Sequence, residues 1–451
     1  MKSKLKQIIL LIGDIAVLYG ALYLTLLLRY LDHVSQSDWT SHFWPFTQIF
    51  VFWPLIFYII DLYNLHLAVN NAKFFQQSAK AISIAGLLSA VYFYLNPNIS
   101  IAPKTNLLIY LLIFALLFFL WRRVFNWLLI SRLAKEKIAF IGCNNQVKEL
   151  IYYLQKRPHL GYEVSMIVSS NLFDKIDGIF TTNSVKDLDK LVAKQKISTI
   201  ILAADPHQSS EIRTSLFACL PLNINIVSLP NFYETITGKI PIESINQMWF
   251  LENLSEGRKK TFNLAKRVYD IAFALLLLAI SAPFWFLIAF VIKFESPGNA
   301  FFLSRRLGRN NREFNLIKFR SMRVENNDYR ITEKDDPRVT RFGKFARRTR
   351  LDELPQLLNI LKGEMSFIGP RPERPELIKD LREKIPFYQE RLLVKPGLSG
   401  WAQVNEYHSP TIEDTLKKLQ YDLYYIKNRT LYLDFAIILK TIATVFRQMG
   451  R

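Results

Sequence analysis

Two adjacent carboxylates, Asp352 and Glu353, stand in a stretch that also holds Arg347, Arg348, Arg350 and Arg371. A carboxylate is a competent nucleophile toward phosphorus when cations hold the phosphate against it, and it splits one hard displacement into two easier ones. A second carboxylate beside it offers the oxygen ligands that Mg2+ takes. The set suits phosphoryl transfer, with Asp352 as nucleophile, Glu353 as metal ligand and Asp352 as an alternative ligand. Leu357, Leu358, Ile360 and Leu361 give the next residues an apolar helical face. Pro355 is tolerated only in a first turn, which predicts a helix starting near Asp352, and Lys362-Gly363 reads as its end. A helix N-terminus favours anions, phosphate included. An Asp-Glu doublet is equally what a solvated helix start looks like, so its surroundings decide.

Those surroundings are basic. Lys318-Phe319-Arg320-Ser321-Met322 reads as a strand with Lys318 and Arg320 on one face, two cations spaced for a diphosphate or for an anionic lipid surface. Gly369-Pro370-Arg371-Pro372 is a rigid turn presenting one guanidinium, the group that grips phosphate bidentately. Around these lie Ser296-Pro297-Gly298, Asp336-Pro337-Arg338-Val339-Thr340, Pro396-Gly397-Leu398-Ser399-Gly400-Trp401-Ala402-Gln403-Val404-Asn405, and Asp422 with Tyr425.

The elements that must position these residues form a chain of 451 residues with net charge +20 and 50% apolar residues. Such a balance fits an anionic membrane, nucleic acid or phosphorylated substrates, and the long apolar runs favour the first and third. The two cysteines, Cys143 and Cys219, have neither metal spacing nor a disulfide framework. Residues 8–28, 44–63, 79–95 and 107–130 are long enough to span a bilayer. Lys2, Lys4, Lys6, Lys73, Lys80, Arg122, Arg123, Arg132, Lys135 and Lys137 flank one side, against Asp32, Asp38 and Lys104 on the other, so both ends are expected in the cytoplasm. Asp14 and Asp61 read as helix–helix glue or interfacial groups.

Between 133 and 240 strand-like and helical runs alternate, which predicts a parallel, Rossmann-like α/β domain. The turn Gly142-Cys143-Asn144-Asn145 lacks the glycine-rich dinucleotide fingerprint, though Glu163 falls where a ribose-binding acid would, and the Tyr152 and Lys156 pair follows the first strand too closely for dehydrogenase chemistry. Residues 241–262 read as a linker. Residues 266–294 are apolar but flanked by Lys266 and Arg267 before and Lys293, Arg305, Arg306, Arg309 and Arg312 after. Charge on both sides, with Ser281 and Pro283 inside, predicts a re-entrant helix broken near Ser281–Pro283 rather than a fifth span. Residues 431–451 read as an amphipathic helix on the membrane.

From Lys266 onward the motifs resemble the bacterial sugar transferase signature, that of the polyprenyl-phosphate hexose-1-phosphate transferases, whose large monotopic members carry four N-terminal membrane helices and a degenerate, CoA-binding-like α/β domain. Departures are Arg350 where serine is common, Ser399 for threonine, and Glu406-Tyr407-His408 for Gly-Arg. The resemblance implies a multidomain membrane protein: an α-helical transmembrane bundle at 1–132, the α/β domain at 133–240, and an α+β catalytic domain with its re-entrant membrane helix at 263–451. It implies transfer of a sugar-1-phosphate from a UDP-sugar to undecaprenyl phosphate, with UMP released and a phosphoryl-aspartate formed on Asp352. Such a step initiates exopolysaccharide, capsule or O-antigen synthesis. It further implies Mg2+ at Glu353, phosphate contacts from Lys318, Arg320, Arg347, Arg371 and Gln403, no nucleic acid, an allowed homodimer, and the inner membrane with the catalytic domain on its cytoplasmic face. A membrane-anchored nucleotide-sugar dehydratase or epimerase and a non-enzymatic lipid-binding scaffold are the competing classes.

Overall fold

The computed structural model describes residues 2–30, 34–64, 70–97, 101–131, 135–169, 178–204, 209–254, 259–323, 336–405 and 411–446. Asp32, Arg132, Glu406, Tyr407, His408, Arg447 and Arg451, together with the side chains of Lys2, Lys4, Lys73 and Lys104, lie outside the described residues. The chain divides into two compact units, Met1–Leu229 and Pro230–Arg451.

The first unit opens with α1 (Lys2–Tyr30), α2 (Gln36–Phe50), α3 (Phe52–Ile59), α4 (Ala72–Leu95) and α5 (Ile101–Ser131). The second span is thus two helices joined at Val51. Leu18, Leu22, Phe46, Trp53, Phe57, Tyr110, Phe114 and Phe118 fill the bundle core. Leu108, Leu112, Leu116 and Leu120 recur every four residues on α5 and remain exposed, an apolar stripe that suits acyl chains rather than water. Inside, Arg122 Nη2 meets Asp14 Oδ2 at 2.5 Å and Arg122 Nη1 donates to Leu62 O at 2.8 Å. Arg122 is therefore the buried partner of Asp14 and not a free flanking charge.

The α/β part contains β1 (Glu136–Ile141), α6 (Asn145–Gln155), β2 (Tyr162–Val168), β3 (Phe180–Thr182), α7 (Leu188–Gln195), β4 (Thr199–Leu202), α8 (Ser210–Ala218) and β5 (Asn225–Ser228), followed by α9 (Leu229–Thr237). The strands are parallel in the order β3-β2-β1-β4-β5. The central strands are buried along residues 138–141, 166–168 and 200–201, while Phe180 of β3 and Ile226 of β5 are exposed at the edges. β3 was too short to be legible as a strand. Glu163 is exposed near the start of β2, whereas ligands of such sheets bind at the strands' carboxyl ends, so it cannot serve as a ribose acid there. Tyr152 and Lys156 pair on the exposed face of α6.

The second unit holds α10 (Gln247–Asn253), α11 (Lys260–Glu295), β6 (Phe301–Leu307), β7 (Glu313–Phe319), α12 (Arg341–Thr349), α13 (Gln356–Lys362), β8 (Ser366–Ile368), α14 (Pro375–Lys384), β9 (Gly397–Ser399), α15 (Trp401–Asn405), α16 (Ile412–Asn428) and α17 (Leu431–Phe446). The stretch expected as a linker is folded: Ile242 is buried in this unit's core, with Ile245, Trp249 and Phe250 packed on it, so the unit begins earlier than 263. Leu357, Ile360, Met365, Ile368, Leu423 and Ile437 complete that core.

α11 is one continuous helix of 36 residues running through Pro283, not the broken pair expected. The aliphatic and aromatic residues on both sides keep helical geometry, and proline removes only one of the backbone bonds. Ser281 Oγ reaches Leu278 O at 3.5 Å and accepts from Trp285 Nε1 at 3.2 Å. Only 11% of its most apolar window is buried, against 28–39% for the four N-terminal spans. Phe286 and Phe294 are 85% and 88% exposed, which in water would be costly and in lipid is not. Both ends of α11 nevertheless dock on this one unit. Arg267 donates to Ile360 O and Leu361 O, Asp270 accepts from Ser366 Oγ and Phe367 N, and Glu295 accepts from Phe342 N.

Candidate active site

The acid pair lies on a single 3-10 turn, Leu351–Glu353, wedged between α12 and α13. Pro355 is the N-cap of α13, so the helix begins one turn later than its proline predicts, while Gly363, with φ of 85°, ends it as expected. Arg350 carries α12 into this turn with φ of 61°, a left-handed conformation, and its guanidinium meets Glu353 three residues further on.

Asp352 and Glu353 are 7% and 6% exposed. Glu353 Oε1 is reached by Arg371 Nη2 at 3.1 Å, Lys318 Nζ at 3.3 Å and Arg350 Nη1 at 3.4 Å. Its Oε2 meets only Arg350, at 3.4 Å, among the described residues. Asp352 Oδ1 is buried and, among the described residues, has no hydrogen-bond partner. The two acids therefore titrate apart. Burial and the neighbouring Glu353 push Asp352 up to about 6, against the pull of Lys318, Arg347 and Arg350. Burial would raise Glu353 too, but the charges of Lys318, Arg371 and Arg350 together outweigh it and hold its carboxyl far below the usual range. Glu353 in turn raises Arg371, while burial lowers Lys318.

Each cation is placed by a distant part of the chain. Buried Asn359 of α13 accepts from Ile317 N at 3.1 Å and donates to Asn315 O at 2.8 Å, which locks β7 beside the acid turn and brings Lys318 to Glu353. Arg347 Nε donates to Ser321 Oγ at 2.8 Å and faces Asp352 electrostatically. α12 can approach so closely because Gly343 has no side chain: a Cβ there would lie 2.0 Å from Ser321 O. The Arg371 turn is held from behind by the Asp422 and Tyr425 motif. Tyr425 OH donates to Ile368 O at 3.2 Å, and Asp422 grips Arg391, whose Nη2 donates to Arg371 O at 3.1 Å.

Two expected ligands go elsewhere. β7 ends at Phe319, so strand alternation does not carry Arg320 to the face of Lys318. Arg320 instead donates to Ser296 O at 2.6 Å and Pro297 O at 2.8 Å, carbonyls left open where α11 stops. Gln403 donates weakly to Leu398 O at 3.4 Å, and its buried Oε1 has no partner among the described residues, so none of its hydrogen bonds goes to the acid pair. Arg391 and Asn359, by contrast, had no motif to single them out. Among the described residues no group of three or more His, Cys, Asp or Glu forms a metal cluster. What the pair does offer Mg2+ is two under-used oxygens, Asp352 Oδ1 and Glu353 Oε2. That fits a metal completed by substrate phosphates and water.

A family model described as bacterial sugar transferase matches residues 261–448. UDP-N-acetylgalactosamine-undecaprenyl-phosphate N-acetylgalactosaminephosphotransferase of Aeromonas hydrophila is 38% identical over 248 residues, 54% of this chain and 58% of that protein. UDP-glucose:undecaprenyl-phosphate glucose-1-phosphate transferase of Xanthomonas campestris pv. campestris is 32% identical, covering 69% of this chain and 67% of that protein. The protein of the same name from Escherichia coli (strain K12) is 30% identical, covering 70% and 69%. A solved UDP-D-quinovosamine 4-dehydrogenase from Vibrio fischeri matches 24% of this chain and 88% of its own at 23% identity, with a TM-score of 0.19, too low to speak for the fold. With the acid pair, its cations and the relatives' coverage agreeing, the chain belongs to the bacterial sugar transferase family.

Proposed function

We propose that this chain transfers a sugar-1-phosphate from a UDP-sugar to undecaprenyl phosphate, releasing UMP, through a phosphoryl-aspartate on Asp352. The observation that carries the reading is the free Oδ1 of Asp352, buried beside four cations and unpartnered among the described residues. Ionised, that oxygen attacks the sugar-bearing phosphorus. The bond from that phosphorus to the bridging oxygen breaks, and the electron pair leaves on UMP. An oxygen of the lipid phosphate then attacks the same phosphorus and returns the carboxylate. Lys318, Arg347, Arg350 and Arg371 stabilise the phosphate charge throughout, in a site where little water screens them. Glu353 stays ionised and orders three of these cations. Glu353 Oε2 would hold Mg2+, which when bound offsets charge on the diphosphate.

A re-entrant course for α11, which needs a bend at Pro283 within the continuous helix, is supported by both of its ends docking on one unit while its middle is apolar and exposed. On this reading the acid pair sits at headgroup level on the cytoplasmic face of the inner membrane, where a prenyl phosphate reaches it from the bilayer. The direct test is UMP release by the full chain with a panel of UDP-sugars and undecaprenyl phosphate. Lipid-dependent UMP release with at least one sugar is expected; none with any sugar would overturn the reading.

A further inference from the structure

Beside the acid turn, Arg306, Leu316, Lys318, Gln356, Arg371, Pro372 and Gly397 line one small cavity. Arg306 and Lys318 share one face of the β6–β7 ribbon, because Arg306 pairs with Phe314 and Phe302 with Lys318. Arg306 Nη1 donates to Pro372 O at 3.3 Å, and its ion pair with Glu373 is long, at 3.8 Å. Its Nε is buried without a hydrogen bond among the described residues. Gln356 is 3% exposed, yet its side-chain amide meets no partner among the described residues. Arg306 Nε, a buried donor without a partner among the described residues, carries a desolvation cost unless a ligand satisfies it. Three cations and an amide around one cavity select an anion.

Lys318 and Arg371 belong to both places: each bonds Glu353 and each lines the cavity. An anion there therefore sits next to, and not on, the phosphorus that Asp352 attacks. We propose that this cavity is a phosphate-monoester subsite, with Arg306 and Gln356 as its unassigned ligands, and that it is used twice in each turnover. The inference rests on the phosphoryl-transfer reading for the identity of the two occupants. In a displacement the leaving and attacking oxygens lie roughly in line with the phosphorus. The nucleotide's phosphate leaves on the side opposite Asp352, and the lipid phosphate must arrive along that same line. One subsite thus releases the first monoester and receives the second.

The test is equilibrium binding of UMP and of undecaprenyl phosphate, measured separately on the detergent-solubilised full chain, for wild type, Gln356→Leu, Arg306→Lys and Arg305→Ala. Arg305 is exposed on the opposite face of β6 and serves as the control. Loss of one hydrogen bond to a charged ligand predicts about tenfold weaker binding of both ligands in Gln356→Leu and Arg306→Lys. Arg305→Ala should bind as wild type, and UMP and undecaprenyl phosphate should compete in the wild-type protein. Unchanged affinity for both ligands in Gln356→Leu, or weakening of only one, overturns the proposal. Wild-type protein that binds both ligands but releases no UMP from any UDP-sugar would sink the transfer reading instead, so the two failures are distinguishable.

Discussion

Asp14 in the membrane bundle and Asp352 in the second unit are both buried acids close to arginine, and they differ in what their oxygens do. Asp14 Oδ1 accepts from Trp121 Nε1 at 3.1 Å and its Oδ2 is paired with Arg122, both side chains being at most 1% exposed. Asp352 Oδ1 has no partner among the described residues, although arginines and a lysine surround it. A saturated acid holds helices together, whereas an acid kept near cations and denied a hydrogen bond is set up to react. Proximity to arginine therefore does not separate these two acids; the unsatisfied oxygen does.

The largest effect that would break this contrast is at Asp352 itself. Asp352→Asn should lower UMP release at least about a thousandfold in a coupled assay while the protein melts no lower than wild type. Asp14→Ala should do the reverse. It strands Arg122 in the bundle and should cost about 3–5 kcal/mol of stability, read as a lower Tm in detergent, with turnover per folded molecule retained. Arg320 and Lys318 sharpen the comparison at closer range. Arg320→Ala removes two bonds to carbonyls and should destabilise by about 2–4 kcal/mol with substrate KM unchanged. Lys318→Ala should raise the KM for the UDP-sugar about tenfold through lost phosphate contact.

The smallest effect is in the pH profile. Below about 6 Asp352 is protonated and is no nucleophile, so kcat/KM should fall about tenfold per unit on the acid side of that value and level off above it. The stability signs are opposite for the two acids. The raised acid, Asp352, contributes stability that is complete below the ordinary aspartate range and lost as pH rises through about 6. The lowered acid, Glu353, contributes stability that is present above the ordinary glutamate range and lost as pH falls below it. A thermal-melt series from pH 4 to 8 on wild type and Asp352→Asn reads the first directly.

Local patterns carried much of this. Apolar runs marked the bundle helices, strand–helix alternation marked the parallel sheet, and the acid doublet with its arginines marked a cluster that the fold brings together. What escaped depended on contacts between residues far apart in sequence. Arg320 looked like a ligand because alternation predicts it, but β7 ends one residue earlier and the open carbonyls of Ser296 and Pro297 take it. Ile242 looked like linker because the core it joins, with Tyr388 and Leu423, is built from residues more than a hundred positions later. Asn359 sat in plain view within a helical motif, and only the packing of β7 shows that it sets where Lys318 falls. Arg306 was legible in principle, since strand periodicity puts it on the same face as Lys318.

The claim on which the account stands is a covalent phosphate on one named oxygen-bearing side chain. Wild-type protein incubated with a reactive UDP-sugar and no lipid acceptor, then digested and analysed by mass spectrometry, should carry a sugar-phosphate on the peptide containing Asp352, discharged when undecaprenyl phosphate is added. UMP release with that peptide unmodified, or with the added mass on a different residue, would contradict it.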